Sequence, residues 1–235
     1  MEDLEDTYWW YLARKDIVCD TVKSFVATNS ELLDFGSGSG GIAKRLSTKG
    51  YKVVAADVSP KALAACRKAG LDTLDLNTSW PAASSLDCIL ACDVLEHIEE
   101  DVDLLQKLRV ALRPRGLLIA TVPAYDFLWS GEDHISDHVR RYTRSLLQRR
   151  VHEAGFFIER SSYFNTLLLP LIAAVLFYKR LFRPRDMYVS DIQPLPQWQN
   201  NILYTIFAVE RYILPHCDFP VGASLLVIAR KPSPE

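Results

Sequence analysis

The sequence predicts a doubly wound α/β protein that is built on a mainly parallel β-sheet. Short apolar runs alternate with helical stretches through the first two-thirds of the 235 residues. Several of these runs are apolar at nearly every position, which is typical of strands that are buried on both faces of a parallel sheet. Alternation of strands and helices implies right-handed crossover connections, so we expect helices on both faces of the sheet.

The elements up to residue 122 follow one another at short intervals. Pro60 near the start of the second helix and Gly70 just after its end support the bounds of that helix. Proline and glycine within residues 113–116 predict a break between the third helix and the fifth strand. The predicted strands are 32–35, 53–57, 73–75, 86–92 and 117–122, and the predicted helices are 42–49, 60–69 and 99–112.

The pattern changes after Pro123. We expect a single domain over residues 1–235, with a helical cap at 1–29 and a helical insert at 164–220. The predicted elements that flank the insert are a helix at 143–154 and two strands at 156–163 and 221–230.

The insert contains an apolar stretch that basic residues follow. Thr166 to Tyr178 is apolar nearly throughout and too short to span a bilayer, which needs about 20 residues. Two interpretations stay open: a helix that packs on the domain and closes a pocket, or an interfacial helix that contacts a membrane or an apolar substrate chain. The basic residues are Lys179, Arg180, Arg183 and Arg185.

Composition and charge indicate which kind of partner and which cellular compartment to expect. A formal charge of −2 and a pI near 6.2 lack the basic excess of nucleic-acid-binding proteins, so no nucleic acid is expected. Five scattered cysteines without a C-x-x-C pair indicate buried thiols in a reducing compartment. The acidic N-terminus is the opposite of a signal peptide's basic start, so we expect a cytoplasmic protein.

A glycine-rich turn follows the first predicted strand. Gly36-x-Gly38-x-x-Gly41 matches the pattern of a turn that presents backbone N–H groups at a helix start, and Asp57 follows about 20 residues later. An acid at the end of the second strand is placed to bind ribose hydroxyls. By itself this pattern fits either a nicotinamide dinucleotide or S-adenosylmethionine, since both contain adenosine.

Three further acidic residues favour the second ligand. Asp34 precedes the turn, where a carboxylate engages a cationic amino-acid group but repels a pyrophosphate. Asp75-Leu76 ends the third strand, where an acid accepts from an adenine amino group beside an apolar contact. Asp93 follows the fourth strand at the ligand-binding edge of the sheet. The alternative is that each acid caps a helix.

These residues together resemble the class I S-adenosylmethionine-dependent methyltransferases. Residues 33–40 resemble motif I of that family, 92–98 its block after strand four, and 112–117 its turn before strand five, with Arg115 where glycine is commoner. The resemblance implies a seven-stranded sheet in the order 3-2-1-4-5-7-6, with strand seven antiparallel, and S-adenosyl-L-methionine as cofactor. The implied cofactor-binding residues are Tyr11, Arg14, Asp34, Gly36, Gly38, Asp57, Val58, Asp75, Leu76 and Asp93.

The N-terminal segment also resembles a bacterial subgroup of these enzymes. Trp9-Trp10-Tyr11-x-x-Arg14-Lys15 resembles a helix that folds over the cofactor in many class I methyltransferases. That resemblance implies that Arg14 pairs with the methionine carboxylate. The alternative is that Trp9 and Trp10 simply pack the helix onto the sheet.

The loop after the fifth strand, residues 123–142, carries the candidate catalytic residues. His134 or His138 is expected to act as general base, with Asp137 beside them and Tyr125 in an apolar wall. Two arginines that end the loop are candidates for holding an acceptor carboxylate or phosphate. These two arginines are Arg140 and Arg141.

Three potential metal ligands within one loop have no distant partner, so no metal site is expected.

The sequence therefore predicts an S-adenosylmethionine-dependent methyltransferase that acts on a small-molecule or lipid-like acceptor, by O-methylation with a histidine base. If the interfacial interpretation of the insert holds, residues 166–185 would contact the inner face of a membrane. Two alternatives stay open: an NAD(P)-dependent oxidoreductase, and a catalytically inactive protein that binds S-adenosylmethionine.

Overall fold

A seven-stranded sheet forms the centre of the molecule. The computed structural model describes residues 6–183, 188–190 and 192–233. The strand order β3-β2-β1-β4-β5-β7-β6 confirms the predicted sheet, and β7 runs antiparallel to both of its neighbours. The strands are β1 Glu31–Phe35, β2 Lys52–Asp57, β3 Asp72–Asp75, β4 Leu86–Cys92, β5 Leu112–Pro123, β6 Phe157–Phe164 and β7 Ser224–Arg230.

Helices connect the strands and precede the sheet. The first described helix lies before β1, and three of the helices that the structure describes lie within the predicted insert, between β6 and β7. The helices are α1 Trp9–Phe25, α2 Gly41–Ser47, α3 Pro60–Lys68, α4 Asp101–Ala111, α5 Gly131–Ile135, α6 Arg144–Glu153, α7 Leu169–Phe182, α8 Gln197–Ala208 and α9 Glu210–Ile213.

The sheet has a switch point between β1 and β4. After β1 the chain adds β2 and then β3 on one side, whereas β4 pairs with the opposite edge of β1, and all of these pairs are parallel. The connections therefore leave the carboxyl ends of β1 and β4 in opposite directions. In open α/β sheets this arrangement creates a crevice at the carboxyl edge, where ligands bind.

Two apolar layers bury the two faces of the sheet. Along β4, Cys88 and Leu90 pack into the layer that contains α1, α2 and α8, whereas Ile89 and Ala91 pack into the layer that contains α4 and α6. All four side chains are fully buried. The run is apolar at every one of these positions because each face of a central parallel strand meets a helix layer.

The start of β5 differs from the prediction. The strand begins at Leu112, where residues 113–116 were expected to separate a helix from a strand beginning at Leu117. Leu112 and Leu117 pair with Leu86 and Cys88, so β5 carries three extra residues over this stretch. Arg115 takes up the extra length at φ +66°, a left-handed conformation that explains why glycine suits this position.

The cap helix and the insert pack on each other. The side chain of Asn200 in α8 accepts a hydrogen bond from the backbone N–H of Trp9 at 2.8 Å and donates one to the carbonyl of Thr7 at 2.8 Å. Tyr204 donates to the buried carboxylate of Asp16 at 2.7 Å, and Arg211 pairs with the same carboxylate at 2.9 Å. The second half of the insert is therefore held by polar contacts to α1.

The first helix of the insert, α7, is packed much less completely. Leu176 is the only residue of this helix that is buried. Within residues 6–183, 188–190 and 192–233, no helix combines the length and apolar character that crossing a bilayer requires. Arg185, which belongs to the predicted basic stretch, lies outside the described residues.

Candidate active site

A cavity of about 640 Å³ opens at the carboxyl edge of the sheet. This volume lies within the range of about 300–1,000 Å³ that is typical of small-molecule sites. Its lining comes from the turn after β1, the end of β4, the loop after β5, the cap helix α1 and the insert. The predicted site residues that line it are Tyr11, Arg14, Asp34, Gly36, Gly38, Asp93, His138 and Arg141.

The turn after β1 requires glycine for two reasons. Gly36 has φ +72°, and a Cβ at this position would lie 2.5 Å from Cγ2 of Val94. The backbone N–H groups of Gly36 and Ser37 donate to the carbonyl of Ala56 at 2.8 and 3.1 Å, which fixes the turn against the end of β2. The turn therefore presents bare backbone to the cavity.

Two of the predicted acidic residues hold this turn in place. Asp34 is buried, and its carboxylate accepts a hydrogen bond from Ala43 N–H in the first turn of α2 at 3.2 Å. Asp57 accepts from the N–H groups of Gly38 at 3.0 Å and Ser59 at 2.8 Å. Asp34 also lines the cavity, whereas Asp57 is outside the lining and contacts the turn from the side of β2.

An ion pair joins the cap helix to the end of β4. Arg14 of α1 pairs with Asp93, whose other carboxylate oxygen accepts a hydrogen bond from the Thr121 hydroxyl at 3.1 Å. Asp93 has φ +57°, a conformation that its close pairing partners maintain. The Arg14 guanidinium also lies over the ring of Trp10, 4.8 Å from its centroid. The cavity therefore presents a positive and a negative group side by side.

The remaining predicted cofactor residues lie at the edge formed by β2 and β3. Asp75 accepts hydrogen bonds from the backbone and the side chain of Asn77, so its carboxylate caps a turn and not a helix. Leu76 is buried, and Val58 is exposed. None of these three predicted residues lines the cavity, and their contact with the cofactor stays a prediction.

Asp133 organises the loop after β5. Its side chain is fully buried and accepts two hydrogen bonds from Arg141, at 2.8 and 2.7 Å. It also accepts from the backbone N–H of Ser130 at 2.7 Å, which makes it part of the cap of α5. Burial alone raises the pKa of Asp133, but its bonds to His138 and Arg141 outweigh burial and hold the pKa well below its usual range.

His138 is oriented by this carboxylate. Its Nδ1 lies 2.8 Å from Oδ1 of Asp133, which leaves Nε2 as the ring nitrogen available to a ligand. The ring packs edge-on against the ring of His97, with the centroids 4.6 Å apart. Of the two predicted histidine bases, His138 is therefore the one that lines the cavity and has an orienting partner.

The structure places the other three predicted catalytic residues outside the cavity lining. His134 is exposed and packs against Trp129 and Tyr188, because α5 turns it away from Asp133. Asp137 is exposed in the turn that follows α5, at φ +53°. Tyr125 stacks on Tyr163 with centroids 5.1 Å apart.

The hydroxyl of Tyr125 lies in surroundings that disfavour its ionisation. Burial, followed by its hydrogen bond with Tyr163, raises the pKa of Tyr125 to about 12.

The two arginines that were predicted to hold an acceptor anion both pair with carboxylates of the protein. Arg140 pairs with Asp101 at 2.9 Å, and Arg141 pairs with Asp133.

Sequence reasoning missed Glu96. This side chain is fully buried, lines the cavity, and neither of its carboxylate oxygens accepts a hydrogen bond from the described residues. Burial and the nearby charge of Asp93 raise the pKa of Glu96 well above its usual range, although two nearby guanidinium groups oppose the shift. A buried and unpaired acid inside a cavity is the kind of feature that marks a functional site.

His97 lies next to Glu96 in the turn that follows β4. Ligand atoms of Glu96, His97 and His138 all lie within 4.8 Å of one another. No metal site was expected, because the potential ligands within the loop after β5 had no distant partner in the sequence. The fold brings two potential partners, Glu96 and His97, from the turn after β4 close to His138. The absence of a metal site stays a prediction.

The insert lines the other half of the cavity with apolar side chains. These come from the segment before α7, from α7 itself, and from the segment around α8. Lys179 adds one basic group near the end of α7. The apolar lining residues of the insert include Leu168, Leu171, Ile172, Val175, Leu176 and Leu203.

Comparison with protein families identifies the class of this protein. Residues 9–161 match the family model that is described as a methyltransferase domain. The chain belongs to this methyltransferase family. The match covers the cap helix, the glycine turn, Asp93 and the whole loop after β5.

A curated relative of this methyltransferase is a ubiquinone biosynthesis O-methyltransferase from Methylocella silvestris. The two are 29% identical over 117 residues, which is 44% of this chain and 46% of the relative. The chain thus matches about half the length of that enzyme.

Solved structures of methyltransferases share the fold. A methyltransferase bound to the Haloferax volcanii Trm112 methyltransferase activator has a TM-score of 0.63 at 17% identity, and the match covers 98% of this chain and 93% of that one. An S-adenosylmethionine-dependent methyltransferase from Mesorhizobium loti has a TM-score of 0.57 at 17% identity, with 90% and 96% coverage. At these identities the similarity concerns the fold alone.

The cavity of this methyltransferase fits S-adenosylmethionine, the cofactor of its class. The cofactor's amino-acid end carries both an ammonium and a carboxylate, and the cavity lining contains both acidic groups, Asp34 and Asp93, and the guanidinium of Arg14. The bare backbone of Gly36 and Gly38 allows close approach to a ligand. The family therefore indicates S-adenosylmethionine, and not a nicotinamide dinucleotide, as the cofactor.

Proposed function

We propose that the enzyme methylates a hydroxyl oxygen on an amphipathic acceptor. The observation that carries the proposal is the composition of the cavity. The part of its lining that comes from the turn after β1 and the loop after β5, here called the polar end, includes the glycine turn and His138, whereas the insert supplies mostly apolar side chains. An acceptor that combines a polar reactive group with an apolar tail matches both kinds of lining.

Residues of the chain bind the cofactor at the polar end. The turn at Gly36 and Gly38 receives it, Asp34 and Asp93 attract its ammonium, and Arg14 attracts its carboxylate. Because Arg14 is already paired with Asp93, a positive and a negative group lie side by side before the zwitterionic amino-acid end of the cofactor binds. Asp57 acts on the ribose side by holding Gly38 in place and accepting from the hydroxyl groups.

His138 removes the acceptor's proton. Bound S-adenosylmethionine supplies a methyl group on a positively charged sulfur, and its transfer to oxygen leaves a neutral thioether. The acceptor O–H proton passes to Nε2 of His138 while the oxygen lone pair forms the new O–C bond. The buried Asp133 carboxylate, 2.8 Å from Nδ1, stabilises the resulting imidazolium.

The curated relative supports an oxygen acceptor. The Methylocella silvestris enzyme is named an O-methyltransferase, and its match with this chain extends over 117 residues. Alignment of bound reactants contributes about 7–11 kcal/mol to such reactions, so no covalent protein intermediate is required. The loop after β5 and the insert are the elements that would provide this alignment.

Acceptor tail length provides the test of this proposal. We expect kcat/KM to rise along a series of phenols with longer alkyl chains, because each buried methylene contributes up to about 0.8 kcal/mol, or about fourfold. Val175→Asp, which places a charge in the apolar lining, should flatten the series. Initial rates of methyl transfer from radiolabelled cofactor measure both effects.

The matched control for this experiment lies on α4. Val110 is 55% exposed and Val175 is 45% exposed, but Val110 does not line the cavity. Val110→Asp should therefore leave the dependence on tail length unchanged. Equal kcat/KM for short and long acceptors in the wild-type enzyme would contradict an amphipathic substrate.

We also propose that the outer face of α7 contacts a membrane surface. Phe177, Tyr178, Leu181 and Phe182 are 51–68% exposed, and they lie four residues apart in pairs along one side of the helix. The opposite side of α7 lines the cavity, so the helix is apolar on both sides. A helix of this kind lies well at a membrane interface, where a lipid-like acceptor would enter the cavity.

Co-sedimentation with liposomes tests the membrane contact. Phe177→Ser should lower the fraction of bound protein, because burial of a phenylalanine side chain contributes about 1.5–3 kcal/mol, or about tenfold or more in partitioning. Phe157 on β6 is the matched control, since it is 66% exposed against 68% for Phe177. A Phe177→Ser protein that sediments like the Phe157→Ser protein would remove the membrane contact.

A further inference from the structure

Three side chains that converge on the cavity form a potential metal site. Glu96 and His97 lie in the short 3-10 turn Leu95–His97 that follows β4, and His138 comes from the loop after β5. Their ligand atoms all lie within 4.8 Å of one another, and all three residues line the cavity. Ligands at about 2.0–2.2 Å from one ion are separated by up to about 4 Å, so a small closure brings the three into coordination.

Glu96 supplies independent evidence for a cationic ligand. Its side chain is fully buried, yet neither carboxylate oxygen has a hydrogen-bond donor among the described residues. The two guanidinium groups nearby already pair with Asp93 and Asp133. Burial of an unpaired carboxylate is costly, and a bound cation removes that cost.

The imidazole of His138 is oriented in the manner of a metal-binding histidine. Such histidines usually bond through their second ring nitrogen to a carboxylate or a backbone carbonyl, which fixes the tautomer and the ring plane. Nδ1 of His138 lies 2.8 Å from the buried Asp133 carboxylate, so Nε2 is available for a cation. The ring of His97 packs edge-on against this imidazole, with the centroids 4.6 Å apart, which brings the two rings to the same place in the cavity.

We propose that Glu96, His97 and His138 bind one divalent transition-metal ion at the acceptor end of the cavity. Two imidazoles and one carboxylate form a ligand set that suits Zn²⁺ or Fe²⁺ and leaves a coordination position open. A hard, oxygen-preferring ion such as Ca²⁺ would require more oxygen ligands than this cluster offers.

The inference rests on the proposed function in placing the acceptor hydroxyl at this end of the cavity, and it changes the role of His138. With an ion bound, Nε2 of His138 is a ligand, and the acceptor oxygen occupies the open position. The ion lowers the pKa of that hydroxyl, its proton passes to solvent water, and the bound oxygen attacks the methyl group. The transfer releases the methyl ether and the neutral thioether.

Titration with Zn²⁺ alone tests the site without any acceptor. The wild-type protein, stripped with a chelator and dialysed, is titrated with zinc chloride in a calorimeter at constant neutral pH. We expect one ion per chain, and weakening of about 10–100-fold or more in Glu96→Gln and in His97→Ala. His134→Ala is the matched control, because it removes an exposed imidazole from the same loop and should bind Zn²⁺ as the wild type does.

Two ligand variants are compared so that unfolding of one of them is not mistaken for loss of the metal site. His97 is exposed, so His97→Ala should unfold at the wild-type temperature even if Glu96→Gln does not. Wild-type protein that binds Zn²⁺ no more tightly than His97→Ala overturns the inference, as does loss of binding in His134→Ala alone. A chain that binds Zn²⁺ at this site but methylates no hydroxyl acceptor would contradict only the proposed function. Unchanged methyl transfer after removal of the metal would contradict only the ion's role.

Discussion

Replacement of His138 by alanine should lower the turnover number by about 10²–10⁴-fold, the usual contribution of a positioned proton-transfer group. The affinity for S-adenosylmethionine should change little, because the glycine turn and the Arg14–Asp93 pair lie on other elements. Steady-state kinetics give the turnover, and calorimetric titration with the cofactor gives the affinity. We expect this loss of turnover in either case, because the variant lacks Nε2 of His138 whether that atom acts as a base or as a metal ligand.

His134→Ala separates this effect from a general disturbance of the loop. Both histidines belong to residues 123–142, but His134 is exposed and lies outside the cavity lining. Its removal should change the turnover number by less than about twofold, as is usual for exposed side chains away from special contacts. Equal losses in the two variants would mean that the loop, and not the His138 side chain, controls the rate.

Replacement of Asp133 by asparagine should have the largest effect on stability. Its carboxylate is fully buried and pairs with Arg141 through both oxygens, at 2.8 and 2.7 Å. Removal of one partner leaves a buried guanidinium without compensation, which costs about 3–5 kcal/mol in the free energy of unfolding. Urea denaturation monitored by circular dichroism measures the loss.

The pH dependence of this effect has a defined sign. The pKa of Asp133 is depressed in the folded state, so its contribution to stability is fully present above the ordinary aspartate pKa of about 3.9. The contribution falls as the pH drops below that value. The wild-type and Asp133→Asn proteins should therefore differ most at neutral pH and converge in acid. A constant difference at all pH values would show that the carboxylate's charge is not responsible.

Asp218→Asn is the control for the stability measurement. Asp218 forms a 2.6 Å ion pair with Arg160, but its side chain is 44% exposed. Solvent screens such pairs, so the variant should lose less than about 1 kcal/mol. The comparison isolates the effect of burial from the effect of removing a carboxylate.

The fold was predictable because its strongest signals are local. The apolar run at Leu86–Cys92 and the alternation from β1 to β5 indicate a parallel sheet without further information. The reversed direction of β7 has no such local signal, and the resemblance to a family supplied it. The early start of β5 was missed because proline and glycine near Arg115 are usual in a break and are also usual in a bulge.

The site was predictable where the chain itself turns, and less so where distant segments meet. Gly36 and Asp34 lie within three residues of each other, so their spacing alone predicted a ligand turn. The burial of Glu96 and its approach to His138 depend on how the loop after β5 folds back over β4, which no local pattern encodes. The cap of α5, formed by Ser130 and Asp133, decides which histidine faces the cavity.

Asn200 has a consequence for the redesign of this enzyme. One amide group joins the backbone of Trp9 and Thr7 to α8, so a single side chain fastens the N-terminal cap to the element that shapes the acceptor pocket. A chimera whose incoming insert lacks an asparagine at the position of Asn200 would leave two backbone groups of the cap without their partner. For such an insert, transfer of acceptor specificity requires the N-terminal cap and the insert to be exchanged together.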